Sequence, residues 1–263
     1  MTLHVLIACS KSKSVLPKDQ MTWTSTTNIK TWNDEWETQK SFFAPAELYT
    51  GRSFKKQLEI TESHHNVKLY IISAGAGLIS LDVVIPSYES TFRSKMGPKM
   101  VDWYLLPLGG IEKIEFNVED TIISFAPPKY HQALLNDPNI ESIKNHLIVP
   151  STSPLSSLAS KVIPIHPRAK EVLGVSSSDL NTEFIRMYLS RGLIGFLDMV
   201  EKGNELPPKV KRNPISDEEL LTLVQSLESM KTLTQLVRHL RDELRIKASV
   251  ERISAARTFT NGE

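Results

Sequence analysis

A polar pentad, Cys9-Ser10-Lys11-Ser12-Lys13, follows directly on the apolar run Leu3–Ala8. Two hydroxyls and two ammonium groups with no carboxylate between them suit an anion, a phosphate above all. An ordinary lysine-rich loop would read the same way in isolation, so the weight rests on its company. Further along, Ser73-Ala74-Gly75-Ala76-Gly77 offers glycines that let backbone approach a ligand, and successive N–H groups that can hold an oxyanion. The spacing is not that of a dinucleotide fingerprint, and neither a P-loop nor a nucleophile elbow is present. Two carboxylates, Asp82 and Glu89, lie in the loop expected beyond. Each could merely cap that loop. Asp82, between Leu81 and Val83, is expected to be partly buried, which would perturb its pKa and makes it the better candidate.

Ala46–Phe54 mixes Tyr49 and Phe54 with Arg52; aromatic faces stack on bases and arginine meets phosphate, although plain packing explains the tyrosine and phenylalanine equally well. Ser153 and Ser156, in a Ser-Pro-Leu-Ser turn, could clamp a phosphate or simply turn the chain. Trp23, Trp32 and Trp36 fall in a long polar loop, where they favour a lid or stacking wedge over a satellite core. The seven histidines lack metal-ligand spacing, so no metal is expected.

These residues need a frame. Leu3–Ala8, Leu69–Ala74, Thr121–Phe125, His146–Pro150 and, more weakly, Lys161–Ile165 have the short apolar pattern of buried strands. Helical spacing appears at Ser53–Ser63, Gly97–Leu106, Lys129–Leu135 and Thr182–Val200, the last with Gly192 and Gly195 either breaking it or allowing close packing. Strands alternating with helices predict an α/β fold with a mostly parallel sheet covered on both faces. Ligands of such sheets bind beyond the carboxyl ends of the strands, where the pentad falls.

The 263 residues can bury one large core plus an appendage. A formal charge of +1 does not announce a nucleic-acid binder, yet it leaves room for local basic faces. One cysteine excludes a disulfide framework, and no apolar stretch is long enough to span a membrane. Without a signal-peptide layout, the cytoplasm is the expected compartment.

Composition predicts an amino-terminal domain over 1–201, a proline-rich linker over 202–214 and a helical unit over 215–263. Helices are expected at Asp217–Leu227, Leu233–Leu244 and Ser249–Phe259, the last two forming a helix-turn-helix outline. Arg238, Arg241 and Arg245 recur on one helical face, and with Lys247 they mark this unit for DNA phosphates, though a solvated face would look alike.

CSKSK after the first strand, LYTGRSF before the first helix, SAGAGLIS after the second strand and LDVVIPSYEST beyond it together resemble a bacterial domain family related to the YaaA peroxide-stress proteins. That family's pattern of Ser, Gly-Leu, Asp and Pro-Tyr falls on Ser73, Gly77, Leu78, Asp82, Pro86 and Tyr88, with one extra residue between the last two. The resemblance spans about Met1 to Pro167 and implies the three-layer α/β/α fold of uracil-DNA glycosylases. The Ser153–Ser156 turn is similar to a glycosylase loop too. The histidine expected before it is replaced by Ser151-Thr152, and the Gln-Asp-Pro-Tyr motif is absent. With its helical appendage, the chain most resembles the anti-phage DNA glycosylases that remove glucosylated hydroxymethylcytosine.

The resemblance implies a cofactor-free, monomeric N-glycosylase acting on modified bases in double-stranded phage DNA by base flipping. Asp82 would then be catalytic. Cys9, Ser73, Gly75, Tyr49, Tyr88 and Glu89 would surround the base. Ser10, Lys11, Lys13, Arg52, Ser153, Ser156 and the cations of the carboxyl-terminal unit would hold phosphates. A non-catalytic DNA-binding or stress-response module, and base exchange in tRNA, are the other readings.

Overall fold

The computed structural model describes residues 1–16, 19–92, 96–151, 161–166, 168–205, 212–227, 230 and 232–260. They fall into two compact units, Met1–Leu206 and Pro207–Glu263. In the first unit β1 (Leu3–Ala8) is followed by the short β2 (Met21–Thr22), α1 (Ile29–Glu37), α2 (Pro45–Leu48) and α3 (Arg52–Glu62). Next come β3 (Val67–Ser73), β4 (Gly77–Ser80), β5 (Tyr88–Glu89), a 3₁₀ segment at Met100–Leu105, and β6 (Thr121–Ser124). The unit closes with α4 (Pro128–Leu135), α5 (Ile140–Ile143), β7 (Leu147–Ser151), β8 (Lys161–Pro164), α6 (Ala169–Val172) and α7 (Leu180–Asn204).

Six strands form one sheet in the order β4-β3-β1-β6-β7-β8. All neighbours are parallel except β3 and β4. Consecutive residues His4 to Ile7 of β1 are buried, as are Leu69 to Ser73 of β3. Successive side chains of a strand point to opposite faces, so burial without alternation requires cover on both sides. The connections give the same result. Chain order runs from β1 to β3 through α3 and, in the opposite lateral direction, from β6 to β7 through α4. Right-handed crossovers in opposite directions put α3 and α4 on opposite faces. The α/β prediction with helices on both faces stands, and all five expected strands are present.

The expectation for the stretch after the second strand needs correction. Gly77–Ser80 is not a loop but an antiparallel strand, with Ser73 opposite Gly77 and Tyr70 opposite Ser80. Gly77 makes the reversal at φ +94°, and its missing side chain leaves room for the Gly109 carbonyl, which accepts from Leu78 N–H at 2.9 Å. The hairpin carries the chain back toward the amino-terminal end of the sheet.

The three tryptophans join the main core of the first unit and form neither a wedge nor a satellite core. Trp23, Trp32 and Trp36 are all buried. Trp32 Nε1 donates to the Gly75 carbonyl at 2.6 Å, and the Trp36 ring lies 5.9 Å from that of Tyr88.

The second unit contains β9 (Asn213–Pro214), α8 (Asp217–Ser226), α9 (Leu233–Arg238), β10 (Ile246–Lys247) and α10 (Val250–Thr260) around Leu220, Val224, Leu236, Leu240 and Ile253. Reciprocal capping boxes start α8 at Ser216/Glu219 and α9 at Thr232/Gln235. The linker expected over 202–214 is structured at both ends: α7 continues to Asn204, and Asn213–Pro214 pairs with Ile246–Lys247.

Candidate functional site

The pentad emerges from β1 at the point where the sheet's chain order reverses, with β3 on one side and β6 on the other. Adjacent strand ends whose connections leave to opposite faces open a crevice there. Backbone pairing folds the pentad over it: Ser14 N–H donates to Leu48 O at 2.9 Å, and Thr50 N–H to Ser12 O at 3.0 Å. This brings Gly51 against Ser10, where a Cβ would collide with the Ser10 hydroxyl, and starts α3 beside Lys11.

The crevice is a cavity of about 440 Å³ whose lining includes Cys9, Ser10, Lys11, Arg52, Ser53 and Asn181. Its charged lining residues are Lys11 and Arg52. No side chain caps the amino terminus of α3, so the helix's first N–H groups add to the positive potential. Asp179 fixes the far wall. Its Oδ1 lies 3.6 Å from Lys56 Nζ, and its Oδ2 accepts from Ser176 Oγ at 2.9 Å and stands 3.9 Å from Arg52. These contacts hold the Asp179 carboxyl below its ordinary pKa, the Ser176 hydrogen bond first and the two cations after it. With both oxygens engaged, Asp179 positions Arg52.

Behind Cys9 lies a closed polar cluster. Ser73 Oγ accepts from Gly75 N–H and Ala76 N–H, each at 3.1 Å, and hydrogen-bonds to Tyr88 Oη, which in turn bonds to Tyr49 Oη. With two N–H donors on its lone pairs, Ser73 donates to Tyr88, and the Tyr49 and Tyr88 hydroxyls share the next bond. Burial pushes both phenols well above their usual pKa and keeps them protonated. Lys13 Nζ stands 5.0 Å from the centre of the Tyr88 ring and 3.8 Å from Glu89 Oε2. Its side chain is only 3% exposed, and burial lowers its pKa against the opposing pull of Cys9 and Glu89. Cys9 Sγ lies 3.7 Å from Tyr130 Oη.

The expected site residues therefore divide. Ser10, Lys11 and Arg52 line the open cavity, together with Cys9. Ser73, Gly75, Tyr49 and Tyr88 are all buried, so they form its support and cannot face an open base pocket. The Gly75 and Ala76 N–H groups are consumed by Ser73 and do not form an oxyanion nest. Lys13 is sealed in with Glu89, whose side chain is 31% exposed.

Asp82 is nowhere near them. It lies beyond β4, exposed, accepting a hydrogen bond from Ser80, and its charged neighbour is Lys68 near the start of β3. In register, Lys68 sits beside His4, at the opposite end of β1 from the pentad. The expectation that Asp82 joins Lys11 and Lys13 is overturned by the β3–β4 hairpin. Its carboxyl pKa is lowered, chiefly by Ser80, and not raised by burial. Ser153 and Ser156 lie outside the described residues.

In the second unit the expected cationic face is broken. A π-helical turn at His239–Glu243 shifts the phase after α9, and Arg245 leaves the helix altogether at φ +57°. Arg241 donates from Nε and Nη2 to the Ala248 carbonyl at 3.0 and 2.7 Å, an internal clamp. Arg238, Arg245 and Lys247 remain exposed.

Sequence reasoning missed Asp179, Asn181 and His131. The first two follow the serine run Ser176–Ser178, which has the look of an ordinary loop. The third is a single histidine within an apolar helix.

Residues 37–153 match the model of a family of unknown function, DUF6884. That stretch covers Tyr49, Arg52, Ser73, Tyr88, Glu89 and His131 and begins after the pentad. No curated protein and no solved structure gives a significant match. Among the described residues no helix is long and apolar enough to cross a membrane, and no three of His, Cys, Asp and Glu gather as a metal site would require.

Proposed function

We propose that the protein is a DNA N-glycosylase of uracil-DNA-glycosylase-like fold that removes a modified base, glucosylated hydroxymethylcytosine in phage DNA being the substrate the resemblance implies. The carrying observation is the cationic cavity at the strand-order reversal, with Lys11, Arg52 and the uncapped start of α3 at its rim. A phosphate flanking an extruded nucleotide would be held there. Cleaving an N-glycosidic bond builds positive charge on the sugar, and the enzyme must supply negative charge, an oriented water and a stabilised leaving base. Glu89 takes the role that Asp82 cannot. It is the carboxylate next to the pentad, partly exposed and steered by Lys13.

The test is alkali-labile strand breakage in glucosylated phage DNA at substoichiometric protein. With protein in excess of DNA, Glu89→Gln is expected to lower the single-turnover rate about 100-fold or more, while Asp82→Asn leaves it unchanged. Wild-type rates in Glu89→Gln would remove Glu89 from the mechanism.

A second reading, a non-catalytic DNA-binding module, is favoured by one observation: among the described residues no Asp or Glu lines the cavity itself. Stoichiometric binding of the same DNA without strand lability would support it.

A further inference from the structure

The Ser177–Asn181 turn borders a second cavity, of about 420 Å³, beyond the carboxyl ends of β6 and β7. Pro127, Ser177 and Asn181 line both cavities, so the two adjoin. The second has no part in the function proposed above. Its walls include the apolar faces of Pro127, Pro128 and Phe184, with His131, Ser151, Lys170, Ser177 and Asn181 as polar groups. Its volume is within the roughly 300–1,000 Å³ of small-ligand pockets, and apolar walls with a few polar groups suit a planar heterocycle.

His131 supplies the sharper observation. Its ring is buried, and Nε2 lies 3.0 Å from the Ser124 carbonyl oxygen. A carbonyl only accepts, so Nε2 carries the proton and Nδ1 carries a lone pair. That Nδ1 is buried and has no hydrogen-bond partner among the described residues. Burial lowers the imidazole pKa to about 4, so the ring is neutral at pH 7. A buried acceptor left unpaired is costly, and a ligand N–H would satisfy it.

We propose that the two cavities form one nucleotide cleft, with the phosphate beside Lys11, Arg52 and Ser53 and the base in the second cavity, where His131 Nδ1 accepts from a base N–H. This moves the base away from the sealed Tyr49–Tyr88 cluster and from Glu89, which lines neither cavity, so it rests on the glycosylase reading only for DNA as the source of the nucleotide and not on Glu89 as its carboxylate.

Isothermal titration calorimetry on the full chain compares dCMP with N4,N4-dimethyl-dCMP, and dTMP with N3-methyl-dTMP. Each pair differs in its base N–H donor. Each parent nucleotide is expected to bind about tenfold tighter than its methylated partner and than 2-deoxyribose 5-phosphate. His131→Phe is expected to erase the gap while leaving deoxyribose 5-phosphate affinity intact. Should that variant not fold, Asn181→Leu, at the boundary of the two cavities, is expected to weaken nucleotides more than deoxyribose 5-phosphate. Equal affinities within both pairs, no nucleotide binding at millimolar concentration, or unchanged selectivity in the variant overturns the cleft. Excision with equal affinities sinks the cleft alone; donor selectivity without excision sinks the glycosylase reading alone.

Discussion

His131, which no sequence motif marks, is buried, lines a cavity and bonds the end of β6 through the Ser124 carbonyl. Its folded pKa, about 4, lies below the ordinary 6.5, because burial penalises the charged ring. The unfolded chain therefore takes up the proton first, and stability falls as pH drops from 6.5 through 4. A shift of that size, at roughly 1.4 kcal/mol per unit, is worth about 3 kcal/mol across the window. His4, buried and lowered in pKa chiefly by burial, acts in the same direction. Urea unfolding at pH 7 and pH 4.5 should show the loss, and His131→Phe should show a shallower one; an unchanged pH dependence would mean that the imidazole does not carry it. At this scale the pentad was legible because its hydroxyls and ammonium groups are contiguous. The partial burial expected of Asp82 is absent. The neighbours Leu81 and Val83 suggested burial for Asp82, but they follow an edge strand that delivers its side chain to solvent.

The β3–β4 hairpin is the element that decides which carboxylate reaches the pentad. Four residues, Gly77–Ser80, are too few to announce themselves as a strand beside a glycine-rich stretch, and pairing with β3 overrides what local composition suggests. The turn into the hairpin also sets the support of the site. A Cβ on Gly75 would stand 2.5 Å from the Tyr88 ring, in a cluster with no free volume to receive it. Gly75→Ala is expected to displace Tyr88, disrupt its link between Ser73 and Tyr49, and destabilise the fold by about 1–3 kcal/mol in urea. Unaltered stability would indicate that the ring moves freely. The same kind of override occurs in the second unit. Arginines spaced for one helical face lose it to a π turn at His239–Glu243. The apolar strands and amphipathic helices, by contrast, were legible because burial on two faces, or on one, writes itself directly into period and composition.

For the molecule as a whole, the division into two units follows the change in composition near residue 206, where helix-forming apolar sequence gives way to prolines and cations. Within the first unit the order of strands concentrates chemistry at one edge of the sheet: the pentad, the start of α3, Glu89 and both cavities all lie at the carboxyl ends of β1, β3, β6 and β7. The convergence was foreseen for β1, β3 and the α3 start, whose polar ends are adjacent in sequence to their strands. It was not foreseen for the Ser176–Asn181 turn, which reaches the site from more than a hundred residues away, without a motif. The central claim is that this edge grips a nucleotide and releases its base. Mass spectrometry of small molecules freed from glucosylated hydroxymethylcytosine DNA by catalytic amounts of the full chain tests it most directly. The expected result is free modified base, matched one for one by abasic sites and strongly reduced in Lys11→Ala/Arg52→Ala. DNA that is bound at that cationic edge yet yields no free base, even at stoichiometric protein, would contradict it.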